Sequence, residues 1–145
     1  MRKDVQYDIE RIGLICSDIK RYLDDLDQLN IRKAADLSDK RNFYAVSMIL
    51  FSLLNRILDL GSEMTIAHDL GVPKSYREIF VLLWKNNFID ENCAKEMSRL
   101  VTYRNLLSHE YQGITPEKVF ELTKKVVIIK KFAQLMKEQI RETHI

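Results

Sequence analysis

Apolar residues recur along this chain in alternating steps of three and four, the spacing that lays them on one face of an α-helix. Val5, Ile9, Ile12, Cys16, Ile19, Leu23 and Leu26 form one such stripe. Val46, Leu50, Leu53, Ile57, Leu60, Met64 and Ala67 form a second. A further row of Tyr44, Met48, Phe51 and Leu58 makes that second segment apolar round most of its circumference. Such a helix belongs at the centre of a bundle, or it needs a second partner for one of its faces.

Local signals divide the rest. Residues 33–40 read as a connector after the acidic cluster Asp24, Asp25 and Asp27. Gly71-Val72-Pro73 stops the second helix, and Ser75 with Glu78 three positions on forms a capping box for a short third helix through Ile79, Phe80, Leu83 and Trp84. Asn86-Asn87 ends it, and Asp90 caps a fourth helix through Met97, Leu100, Val101 and Arg104. Gln112-Gly113 breaks that one, and Thr115-Pro116 places a capping hydroxyl before a proline at the first helical position. The fifth helix then carries Val119, Leu122, Val126, Ile129, Ala133, Met136 and Ile140. The expected fold is all-α: an up-and-down bundle of four long helices and one short one, with residues 1–145 as a single domain.

Composition narrows the class. With 46% hydrophobic and 30% charged residues the chain is globular and not disordered. A formal net charge of +2 neither announces nucleic-acid binding nor forbids it. Cys16 and Cys93 give no disulfide framework and no C-x-x-C motif, and fit buried thiols in a reducing compartment. No apolar signal core follows Met1-Arg2-Lys3-Asp4, and the greasiest stretch, 45–54, is interrupted by Ser47 and Ser52 and reads as too short and polar to cross a bilayer. A cytoplasmic protein is expected. The three histidines, His68, His109 and His144, stand at no metal-ligand spacing, so neither a metal site nor a cofactor is expected. His68 reads as a partner for the C-terminal end of the second helix and His144 as part of a terminal tail.

Chemistry concentrates in Arg104-Asn105-Leu106-Leu107-Ser108-His109-Glu110-Tyr111, an R-x4-H-x-Y pattern. A guanidinium grips a phosphate with parallel hydrogen bonds, and an imidazole titrating near pH ~6.5 takes or gives a proton at neutral pH. On an ideal helix Arg104 and His109 would lie about 140° apart, so they converge only where the helix ends or distorts. Duller roles exist. Arg104 can pair with Glu110, His109 can sit at a helix C-terminus, and Tyr111 can be a half-buried aromatic. The seven cations of the last helix, Lys118, Lys124, Lys125, Lys130, Lys131, Lys137 and Arg141, can guide RNA, although a solvated face is the commoner meaning of such a run.

With its five-helix order, its Gly71-Val72-Pro73-Lys74-Ser75-Tyr76 link and its Tyr103-Arg104-Asn105 lead-in, the chain resembles HEPN-domain toxins from about Tyr44 onward. In particular it resembles the HepT type paired with a minimal nucleotidyltransferase antitoxin. The resemblance implies a homodimeric, metal-independent endoribonuclease of a type VII-like toxin–antitoxin pair. Arg104 would hold the scissile phosphate and His109 would act as general acid or base, with Asn105 in support. An RNA substrate, tRNA or mRNA, is implied, while neither DNA nor a membrane is expected as a partner. Tyr111 would accept AMP from the antitoxin and so be the off switch. The rival reading is a non-catalytic helical module that docks on a nucleotidyltransferase. A purely structural dimerisation protein would leave the polar motif unexplained.

Overall fold

A computed structural model of the chain describes residues 5–108 and 114–144. In order, the elements are α1 (Ile9–Leu29), a 3-10 turn (Ala34–Ser38), α2 (Lys40–Ala67), α3 (Tyr76–Lys85), α4 (Glu91–Ser108), α5 (Pro116–Lys124) and α6 (Val126–His144). No strand occurs among the described residues. Every α-helix but α6 begins where a short polar side chain can accept from an otherwise unpaired backbone N–H. The Asp8 carboxylate accepts from Arg11 N–H at 3.1 Å, Ser75 Oγ from Glu78 N–H at 3.2 Å, Asp90 from Cys93 N–H at 2.7 Å and Thr115 Oγ1 from Lys118 N–H at 3.1 Å. Asn30 and Asn87 leave α1 and α3 at φ 52° and 67°, the left-handed exit that asparagine tolerates.

The expected fifth helix arrives in two pieces. Lys125 separates α5 from α6, and the N–H groups of Lys125 and Ile128 bond to carbonyls three residues back, at 3.1 and 2.9 Å. This tightened turn interrupts the helix without redirecting its apolar series, since Val119, Leu122, Val126, Ile129, Ala133 and Met136 are all buried. Taken together α5 and α6 fill the fifth place, which leaves four long members and the short α3. The 33–40 connector is also ordered locally. The Asp36 carboxylate accepts from the N–H groups of Arg32 and Lys33, and those two bonds hold its carboxyl below the usual range.

α2 is the central member and touches α1, α3, α4, α5 and α6. Val46, Leu50, Leu53, Ile57, Leu60 and Met64 are each at most 2% exposed. The second apolar row behaves differently: Leu58 is buried and Phe51 half-buried, while Tyr44 and Met48 remain 55% and 54% exposed. Within α2 the 45–54 stretch becomes part of a helix that is long and apolar enough to cross a membrane. Its main row is covered by the other helices. On α1 Ile12, Ile19 and Leu26 of the expected stripe are buried, but Ile15 takes the place expected of Cys16. Ile15 is fully buried beside Ile12, Ile19 and Leu26, whereas Cys16 is half-buried, Ile9 is 44% exposed and Val5 precedes the helix.

Near its C-terminal end α2 is tied to both flanks of the chain. The Tyr7 hydroxyl is hydrogen-bonded to His68 Nε2 and, at 2.8 Å, to Thr143 Oγ1. The His68 imidazole meets Phe88 edge-on, with centroids 4.6 Å apart. His68 therefore does end α2, but its ring serves Tyr7 and Phe88, while its backbone N–H bonds to Met64 O.

Two glycines illustrate the packing. A Cβ on Gly61 would stand 2.7 Å from Ile79 Cγ2, because α3 crosses α2 there, whereas a Cβ on Gly13 would meet nothing within 4 Å. Alanine gains about 1 kcal/mol over glycine in a helix interior, and overpacking costs about 1–3 kcal/mol. Gly13→Ala is expected to raise the melting temperature by about 2–4 °C, and Gly61→Ala to lower it, in parallel thermal scans.

Candidate active site around Arg104

α4 delivers Arg104 one turn before its end, half-buried against the middle of α2. Its Nε donates to Asn55 Oδ1, and its Nη1 donates to Asn105 Oδ1 at 3.1 Å. The guanidinium carbon lies 5.3 Å from the Phe51 ring centroid and 5.1 Å from that of Tyr76. Cations are attracted to such ring faces, and the planar guanidinium stacks on them well. Every one of these partners is neutral, and among the described residues no carboxylate pairs with Arg104. Among the described residues two of its five N–H donors are committed, which leaves three and the positive charge for a ligand. This is the electrostatic condition for gripping an anion, and the fork geometry matches phosphate.

Asn105 thus has an observed partner in the arginine beside it. His109 and Tyr111 lie outside the described residues, as do Glu110 and the Gln112-Gly113 break. α4 stays helical as far as Ser108. On the next helix Lys118 Nζ sits 5.1 Å from the Tyr103 ring centroid and 3.0 Å from Glu121. Bonding to Tyr103 and then to Glu121 raises the lysine pKa, and Lys118 in turn lowers that of Glu121. That part of the basic run is therefore internally compensated. Lys124 lies over the Phe120 ring at 4.8 Å. Among the described residues, no group of three or more His, Cys, Asp or Glu side chains could hold a metal ion.

Asn55 and Tyr76 are site residues that sequence reasoning overlooked. Asn55 lies just past the 45–54 stretch, and Tyr76 stands at the end of the link before α3. The available signal was the row Tyr44, Met48, Phe51, Asn55, in steps of four, three and four, where one amide ends an otherwise apolar face. Tyr44 and Met48 of that row are exposed, as is Leu106 on α4.

The all-helical bundle, with Arg104 opening the R-x4-H-x-Y pattern, is that of a HEPN-type protein. The family model described as Ribonuclease HepT-like matches residues 15–139, and the chain belongs to that family. It is 32% identical over 57 residues to the mRNA nuclease HepT of Shewanella oneidensis, a match spanning 39% of this chain and 43% of that protein. Among solved structures, the tri-AMPylated Shewanella oneidensis HEPN toxin in complex with MNT antitoxin superposes with a TM-score of 0.80 at 23% identity, covering 92% of this chain and 99% of that one. YutE, a cytosolic protein of unknown function from Bacillus subtilis, gives a TM-score of 0.81 at 19% identity, covering 95% and 94%. At these identities the structural likeness establishes a shared fold.

The tether predicts a spectroscopic effect. Replacing Asn55 with alanine removes the acceptor for Arg104 Nε–H and leaves the ring contacts. Solvent exchange of that N–H, followed by nitrogen-15 NMR, is expected to accelerate in Asn55→Ala and to change little in Asn105→Ala. Equal exchange rates in wild type and Asn55→Ala would mean that Asn55 does not hold the guanidinium.

Proposed function

We propose that this protein is the toxin of a toxin–antitoxin pair: a metal-independent endoribonuclease controlled by AMP transfer from a nucleotidyltransferase antitoxin. The observation that carries the reading is the Arg104 guanidinium, half-buried, held by neutral groups and unpaired with any described carboxylate. A structural arginine in such a place normally has an acidic partner, because a desolvated charge is costly unless paired. Arg104 binds the scissile phosphate and stabilises the charge that grows on it. His109 takes the proton of the ribose 2′-hydroxyl, or protonates the leaving 5′-oxygen. The products are a 2′,3′-cyclic phosphate and a 5′-hydroxyl.

A homodimer completes the scheme. One histidine cannot comfortably act as base and acid in the same turnover, whereas two can across a shared cleft. The exposed Tyr44 and Met48, on the α2 row that leads to Phe51 and Asn55, offer apolar surface that a second copy would cover. The cleft and its RNA work in the cytoplasm. Tyr111 supplies the control: its phenolic oxygen displaces pyrophosphate from the α-phosphorus of ATP, and the attached AMP fills the cleft with bulk and negative charge.

Two experiments test these assignments. RNA cleavage by the purified, unmodified protein in EDTA is expected to persist, and to fall at least about a hundredfold in Arg104→Ala and His109→Ala. Products should carry the cyclic phosphate end. An inactive wild-type dimer that still binds a nucleotidyltransferase would establish the docking-module reading instead. For Tyr111, intact-mass analysis after incubation with the antitoxin and ATP should show AMP adducts on wild type and none on Tyr111→Phe. Adducts that persist in the phenylalanine variant would remove Tyr111 as the acceptor.

A further inference from the structure

The link between α2 and α3 has no part in the chemistry so far, yet it adjoins the site. Pro73, Lys74, Ser75 and Tyr76, together with Ser62 and Ile79, line an open cavity of about 450 Å³. That falls within the size range of small-molecule pockets. Tyr76 is common to the two places: its ring packs against the Arg104 guanidinium and it also walls the cavity. The Tyr76 ring therefore stands between the cavity and the arginine.

Its chemistry is two-sided. Pro73, Ile79 and the half-exposed Tyr76 ring provide an apolar and aromatic surface. Lys74 provides a cation that is exposed and forms no ion pair among the described residues. Among the described residues no acidic side chain lines the cavity. A flat ring that stacks and a free ammonium beside it match the two halves of a nucleotide, its base and its phosphate.

We infer that this cavity is the subsite for the nucleotide next to the scissile phosphate, with Lys74 binding the neighbouring phosphodiester and Tyr76 stacking its base. The inference rests on the RNA-cleavage reading of Arg104. Tyr76 then has two duties, bracing the arginine and receiving the base. Arg104 and Lys74 grip successive phosphates along one strand and thereby fix its direction through the cleft. Single-stranded segments suit this arrangement, because their bases are free to leave the stack.

The test separates binding from cleavage. A fluorescein-labelled 2′-O-methyl oligoribonucleotide lacks the attacking hydroxyl, so its binding to the full, unmodified chain is read by anisotropy at several salt concentrations. Lys74→Ala is expected to weaken binding severalfold and to lower the slope of log affinity against log salt by about 0.7, the loss of one single-strand phosphate contact. Lys74→Glu should weaken it further. Tyr76→Phe should bind as wild type does, and Tyr76→Ala should lose about tenfold. Lys95→Ala removes a lysine paired with Glu91 at the start of α4, and should change nothing.

Wild-type affinity and slope in both Lys74 variants would overturn the subsite, as would an equal loss in Lys95→Ala. Lys74-dependent binding of ATP without binding of the oligonucleotide would also overturn it, in favour of a mononucleotide pocket. Failure of the ribonuclease reading looks different: oligonucleotide binding that still depends on Lys74, beside uncleaved natural RNA.

Discussion

Burial of α2 on several sides at once is the constraint from which the other features follow. A helix whose main apolar row is almost fully inaccessible must be surrounded, and α1, α3, α4, α5 and α6 all reach it. Glycine at position 61 is needed because one neighbour comes too close for a side chain. The same crowding packs α4 against α2 and brings Arg104 to Asn55 and Phe51. Core packing thus aims the Arg104 side chain, and the candidate site inherits its rigidity from the hydrophobic effect.

Two arginines show how differently this fold treats a guanidinium. Arg56, one residue past Asn55, is enclosed by Asp18 at 2.7 Å and Asp59 at 3.0 Å and joins α1 to α2. Its charge is consumed internally. Arg104 has amide oxygens and ring faces in place of carboxylates, so its orientation is fixed while its charge remains available. Amide acceptors are the appropriate choice for a residue meant to meet an anion, because a carboxylate would compete with the ligand and repel it. Ring contacts contribute about 0.5–1 kcal/mol each at exposed sites, enough to favour one rotamer without trapping it.

Much of the fold was legible because helix caps and apolar periods are local. Ser75, Asp90 and Thr115 cap the helices that their neighbours announce, and the main row of α2 lies buried as its spacing implies. Where the reading slipped, the reason was tertiary. Ile15 and Cys16 are both apolar, and only the direction from which α2 approaches decides that Ile15 is the buried one. The turn at Lys125 leaves the apolar period intact, so no spacing betrays it. Arg104 was visible as chemistry, but its supports come from positions 51, 55 and 76, far apart in sequence and brought together only by the bundle. Tyr76 accordingly carries no local mark of its place, and Asn55 only the amide that ends an apolar row.

The Tyr7 hydroxyl touches His68 and Thr143, residues 61 and 136 positions away along the chain. Most contacts in a helical bundle are short in sequence, and such folds assemble quickly for that reason. This cluster is of the opposite kind: its three side chains meet only after α1, α2 and α6 have each found their places. Closing so long a loop carries an entropic cost that a few polar contacts do not themselves offset, so the meeting is a consequence of docking and not its cause. The tyrosine consequently acts as a seal, intact only when the first and last helices are seated against the middle one. Loosening of either would be felt there before it reached Arg104, since His68 and Asn55 stand about 20 Å apart along the same helix.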